Sequence, residues 1–160
     1  MNTDSLLAQL PEMLILAVPI LWALTIHEFA HAYVAVWAGD PTPEVNGRLT
    51  LNPLAHLDLL GTLCMFFAHF GWAKPVPVNA RNLRNPKRDM AWVAAAGPGA
   101  DFVMAFGWAI LGALAAQGWL GGGAAGEWLV RMAWFGISFY VLLGLFNLLP
   151  IPPLDGSHVL

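Results

Sequence analysis

Three long stretches of the chain carry almost no charge. Residues 13–26 contain none, and after His27 and Glu28 the apolar pattern resumes over 29–38 until Gly39, Asp40 and Pro41 stop it. Residues 90–116 are interrupted only by Asp101, and residues 128–149 only by Arg131. A membrane span needs roughly 17–25 mostly apolar residues, because a helix rises ~1.5 Å per residue across a ~30 Å hydrocarbon core. The pattern therefore predicts an all-α polytopic membrane protein with three core spans, at about 11–38, 90–116 and 128–149. Pro19 predicts a kink in the first span. Residues 118–126, with three consecutive glycines, read as a short connection between the last two.

Between the first and second spans the pattern changes. Arg48, Leu49, Thr50, Leu51 and Asn52 alternate polar with apolar, which predicts a short strand. Residues 54–72 are apolar but hold His56, Asp58, Gly61 and His69. They could cross the membrane, or dip in and return.

Composition narrows the class. Of the 160 residues, 58% are hydrophobic and 11% charged, less than half the ~25% charge of soluble domains. A chain of 17.3 kDa cannot bury that much apolar surface within itself, so a soluble enzyme is excluded and a lipid bilayer is expected around it. A net charge of −3 leaves no basic face for nucleic acid. One cysteine excludes an internal disulfide framework and a multi-cysteine zinc site. The first twelve residues carry Asp4 and Glu12 but no Lys or Arg, unlike a secretory signal.

The exceptions to charge scarcity carry the chemistry. His27-Glu28-Phe29-Ala30-His31 is H-E-x-x-H, and two histidines at i and i+4 face one side of a helix, where both can ligate one zinc ion. Glu28 stands beside them, placed to take a proton from an activated water. Three ionisable groups within one turn of a membrane helix are too costly to serve packing alone. Zinc needs a third protein ligand and an open position. Pro150, Pro152 and Pro153 force the last helix to unwind after Asn147, and Asp155 on that segment is the natural ligand, with Gly156 allowing a sharp turn beside it. Capping or an interfacial position is the alternative reading of Asp155.

His27-Glu28-x-x-His31 combined with Asn147 and Leu154-Asp155-Gly156 resembles the site-2 protease family of intramembrane zinc metalloproteases, in its compact form without a PDZ domain. Residues 47–53, 71–79 and 96–99 resemble family segments in the same order, so the likeness covers about 20–160. It implies one membrane-embedded metalloprotease domain over 1–160, with zinc held by His27, His31 and Asp155, and Glu28 activating water. It also implies that Asn147 binds substrate or the oxyanion, that the substrate is a transmembrane segment of another protein, and that further helices follow the C-terminus. Where members commonly read A-G-P-x-x-N, this chain has Asp101 at the last position, which leaves the role of Asp101 open.

Both halves of the expected site lie about 21–22 Å along their helices, at 1.5 Å per residue. They meet only if the first and third spans run parallel, which requires an odd number of crossings between them. Residues 54–72 are therefore expected to be re-entrant, and residues 39–89 to lie on one side. Lys74, Arg81, Arg84, Lys87 and Arg88 make that side cytoplasmic, in a bacterial inner membrane, with the active site opening towards it. Arg48, Leu49, Thr50 and Leu51 could then pair with an unwound substrate, or simply close a turn. The expected function is an intramembrane zinc endopeptidase. The alternatives are a membrane metal-ion carrier and an adaptor with structural zinc, for which His56 or His69 would supply the fourth ligand.

Overall fold

A computed structural model describes residues 3–58, 60, 61, 64 and 72–159. Its elements are α1 (Thr3–Trp37), α2 (Thr42–Val45), α3 (Pro53–His56), α4 (Pro86–Ala116), α5 (Ala124–Asn147) and a 3-10 turn, Asp155–His158. Three helices are long and apolar enough to span a membrane: α1 over Ile15–Trp37, α4 and α5. The protein is thus an all-α membrane protein.

Helix α1 continues through Pro19 and ends where Gly39 takes a positive φ of 111°. The Asp40 N–H reaches back to the Ala35 carbonyl and the Gly39 N–H to that of Val36, which satisfies two of the carbonyls a helix end leaves open. Asp40 then ties the following chain to this end. Its carboxylate accepts from the Thr42 N–H and hydroxyl, the Asn79 N–H and the Asn82 side-chain amide. Burial alone would raise the Asp40 pKa, but these donors together hold it below the ordinary carboxylate value.

Small residues set how closely the long helices approach. Gly112 faces Ala133, Gly136 lies against the Trp108 ring, and Gly144 meets Phe102, the Pro98 carbonyl and the Asp101 Cβ. As residue numbers rise along α4 they fall along α5, so the two are antiparallel. Helix α1 meets α4 the same way, His31 against Val93 and His27 against Asp101. Helices α1 and α5 therefore run in the same direction, as the shared ligand depth requires. Ala23, Ala105, Trp108, Ala133 and Tyr140 form the buried core where the three converge. Val103 and Phe106 on α4 and Trp134 and Leu142 on α5 are exposed apolar side chains, suited to face lipid tails.

The strand expected at Arg48–Asn52 is not formed, and among the described residues there is no strand, only an isolated antiparallel bridge between Leu57 and Ala73. Side-chain capture explains the difference. The buried Arg48 guanidinium donates to the Lys74 carbonyl, and the His56 ring donates through Nε2 to the Thr50 carbonyl, which bends the segment instead of leaving it free to pair. Most of residues 59–71 lie outside the described residues, and with them His69 and the re-entrant path expected of 54–72.

Candidate metal centre

Helix α1 supplies the first two groups because i and i+4 share a face. His27 and His31 are both buried, their rings edge to face with centroids 4.7 Å apart. Each ring is fixed at Nδ1. His27 Nδ1 lies 2.8 Å from Asp101 Oδ2, and His31 Nδ1 lies 2.7 Å from the Val93 carbonyl oxygen. A carbonyl can only accept, so His31 carries its proton on Nδ1, and the carboxylate favours the same tautomer in His27. Both Nε2 atoms are then left with lone pairs pointing into one gap.

Asp155 closes the gap from the far end of the chain. After α5 ends, the proline-rich segment cannot continue the helix and folds back. Gly156 makes that return possible, since a Cβ there would lie 2.3 Å from the Leu148 carbonyl oxygen. Asp155 Oδ2 thereby comes 3.1 Å from His27 Nε2 and 3.2 Å from His31 Nε2, with the two Nε2 atoms 3.1 Å apart.

Three acceptor atoms at this spacing repel one another unless a cation or shared protons lie among them. Ligands at ~2.0–2.1 Å around tetrahedral zinc are separated by about 3.3 Å. The residues therefore fit a metal ion of that size, with three protein ligands and one open side. That side is a cleft of about 360 Å³ whose lining includes Glu28, His31, Val76, Val78, Asp155 and His158. Glu28 is not one of the three converging ligands; its Oε2 accepts the backbone N–H of Val76 at 3.0 Å.

The structure thus brings His27, Glu28, His31 and Asp155 together. It places Asn147 on the last turn of α5, its amide donating to the Leu143 carbonyl. Arg48 is tied to the Lys74 carbonyl, and the cleft beside it is lined by Pro75, Val76 and Val78 rather than by Arg48, Leu49, Thr50 or Leu51. His56 is buried in its own loop, bonded to Thr50, and takes no place among the three ligands.

Sequence reasoning left the role of Asp101 open and did not see what His158 and Gly97 contribute. Asp101 orients His27, and its signal was a carboxylate inside a span, where such groups are costly. His158 lines the cleft. Gly97 faces the ligands so closely that a Cβ would sit 2.4 Å from His31 Nε2. For Asp101, substitution by Ala should weaken zinc binding ~10–100-fold, the usual effect of losing such a partner. Asn, whose amide oxygen still accepts from Nδ1, should retain most of the affinity; titration against a competing chelator reads both. An alanine variant that binds zinc normally would remove Asp101 from the site.

Three relatives carry a corresponding activity in their names. The chain is 42% identical over 146 residues to "Putative zinc metalloprotease YwhC" of Bacillus subtilis (strain 168), covering 91% of this chain and 67% of that protein. It is 35% identical to a protein named in the same terms, Rip2, of Mycolicibacterium smegmatis, and 34% identical to Rip2 of Mycobacterium tuberculosis (strain H37Rv). Those alignments cover 88% and 86% of this chain but only 53% and 52% of the Rip2 proteins, so the chain spans about half their length. No family model and no solved structure matches it. With a His-His-Asp group that could hold a metal ion and identity of this extent to relatives named as zinc metalloproteases, the chain belongs to the site-2 protease family.

Proposed function

We propose that the protein is an intramembrane zinc endopeptidase that hydrolyses peptide bonds within or near transmembrane segments of other proteins. The observation that carries this reading is the convergence of His27 and His31, with Glu28 beside them, and of Asp155 just after α5, where the helices concerned are long and apolar enough to cross a membrane. Zinc bound there would supply Lewis-acid activation of a water and of the scissile carbonyl.

The chain's own residues do the rest. Asp101 and the Val93 carbonyl hold the imidazoles in the ligating tautomer. Glu28, oriented by the Val76 N–H, takes the proton of the attacking water through its other oxygen and returns it to the leaving amine. Asn147, released from Leu143, offers its amide N–H to the developing oxyanion. A substrate helix must unwind to expose a peptide bond, because its own hydrogen bonds protect the carbonyls. Pro75, Val76 and Val78 line the cleft and Arg48 holds the Lys74 carbonyl next to them, so this side, followed by the loop of Leu49, Thr50 and Leu51, receives the unwound chain.

The Lys and Arg cluster argues for a bacterial inner membrane with residues 39–89 and the cleft on the cytoplasmic side. Reporters fused at Arg48 and at Lys87 should both give the cytoplasmic signal; opposite signals would overturn this orientation. Purified protein in vesicles should cleave a single-span membrane protein, stop on chelation and recover with zinc. It should hold one zinc per chain, lost in His31→Ala. Zinc transport across the vesicle without cleavage would overturn the protease reading.

A further inference from the structure

A second cavity lies between the end of α1 and the start of α4. It is a groove of about 560 Å³, and Val34, Ala38, Ala95 and Ala96 supply its apolar lining. Trp37 and Trp92 flank it and are 66% and 58% exposed, too open to be core aromatics. Arg84 and Arg88 also line it. The apolar run of α4 begins at Met90, directly after this polar stretch, so the groove straddles the change from polar to apolar chain. That is the interfacial layer of a bilayer, where Trp side chains concentrate.

We infer that this groove binds one anionic phospholipid, its phosphate between Arg84 and Arg88 and an acyl chain along the apolar lining. One Arg84 nitrogen donates to the Trp37 carbonyl at 3.1 Å, which holds the guanidinium at the groove and leaves its other donors for a phosphate. The single acidic residue in the lining, Asp89, has Oδ2 engaged by the Asn85 N–H at 2.8 Å. Two arginines against one engaged carboxylate give the groove a positive rim, complementary to an anionic headgroup. A second copy of the chain is a poor occupant, because a two-fold contact here would bring its Arg84 and Arg88 against these. The site is separate from the metal centre: among the described residues, none that lines the groove also lines the cleft beside Glu28 and Asp155.

The test is native mass spectrometry of the intact chain in neutral detergent, offered phosphatidylglycerol or phosphatidylcholine with identical acyl chains. One phosphatidylglycerol per chain should be retained, with a preference of about twenty-five-fold from ~five-fold per arginine. Arg84→Gln with Arg88→Gln should abolish the preference. Arg81→Gln with Lys87→Gln, the same charge change outside the groove, should leave it intact. Ala95→Phe fills the apolar part while keeping both charges, and should lose the lipid even if the arginine pair is needed for folding. Equal loss in both charge pairs would mean a diffuse basic surface and overturn the site. So would undiminished binding in Ala95→Phe, displacement by inorganic phosphate alone, or equal retention of phosphatidylcholine. His31→Ala should keep the lipid, so the outcome is independent of the zinc reading.

Discussion

Replacing Glu28 by Gln should reduce peptide hydrolysis by about 10²–10⁴-fold, the span that a positioned acid–base group contributes. Zinc should remain at one per chain. The substitution is well controlled by the local geometry. Gln has the same shape, and its amide oxygen can still accept the Val76 N–H now held by Glu28 Oε2. The cleft should therefore keep its form, and the change removes only the ability to take up a proton. Because Glu28 is not among the three converging ligands, metal content should be unaffected. Elemental analysis beside a cleavage assay separates the two readouts. Full activity would show that another group moves the proton, and His158 in the cleft lining would be the first to test.

Much of this site was legible because two local constraints write directly into sequence. Two side chains on one helix can share a metal ion when they stand about one turn apart, so His27 and His31 at i and i+4 mark a candidate pair. A helix that must stop at membrane depth needs residues that cannot continue it, so three prolines point to Asp155. The three spans were equally plain, because lipid demands unbroken apolar runs.

What stayed hidden depends on contacts between distant segments. Asp101 and His27 are 74 residues apart, and no periodicity links them; the carboxylate was conspicuous, but its partner was not. The alternation at Arg48, Leu49, Thr50 and Leu51 looked like a strand because a polar residue every second position is the β signature. Here the polar positions serve tertiary capture instead: Arg48 reaches Lys74, and His56 takes the Thr50 carbonyl that a strand partner would need. The contact made by Gly97, a residue noted only within the family-like segment 96–99, was hidden for a related reason. A small residue in a membrane helix signals close packing of some kind but does not say against what.

That last contact carries the second large effect. Gly97→Ala should abolish zinc binding, with affinity falling at least about a hundred-fold, beyond the usual loss from an altered ligand-supporting partner. The added Cβ would lie 2.4 Å from His31 Nε2 and 2.7 Å from His27 Nε2, against the two atoms proposed to hold zinc. Neither ring can turn aside cheaply, because each is held at Nδ1 by a buried partner, Asp101 or the Val93 carbonyl. Relief requires either breaking one of those bonds or separating α1 from α4, and overpacking of this kind costs about 1–3 kcal/mol before any ligand is lost. Helix α4 itself should not suffer, since Ala is the better helix former by about 1 kcal/mol. Gly99→Ala supplies the control two residues on: a Cβ there meets nothing within 4 Å, so zinc affinity should be unchanged and the melting temperature equal or slightly higher. Competition titration of zinc, with circular dichroism to confirm intact helices, distinguishes the two variants. If Gly97→Ala binds zinc as tightly as the parent chain, the close approach of α4 to the ligands is not what shapes the site.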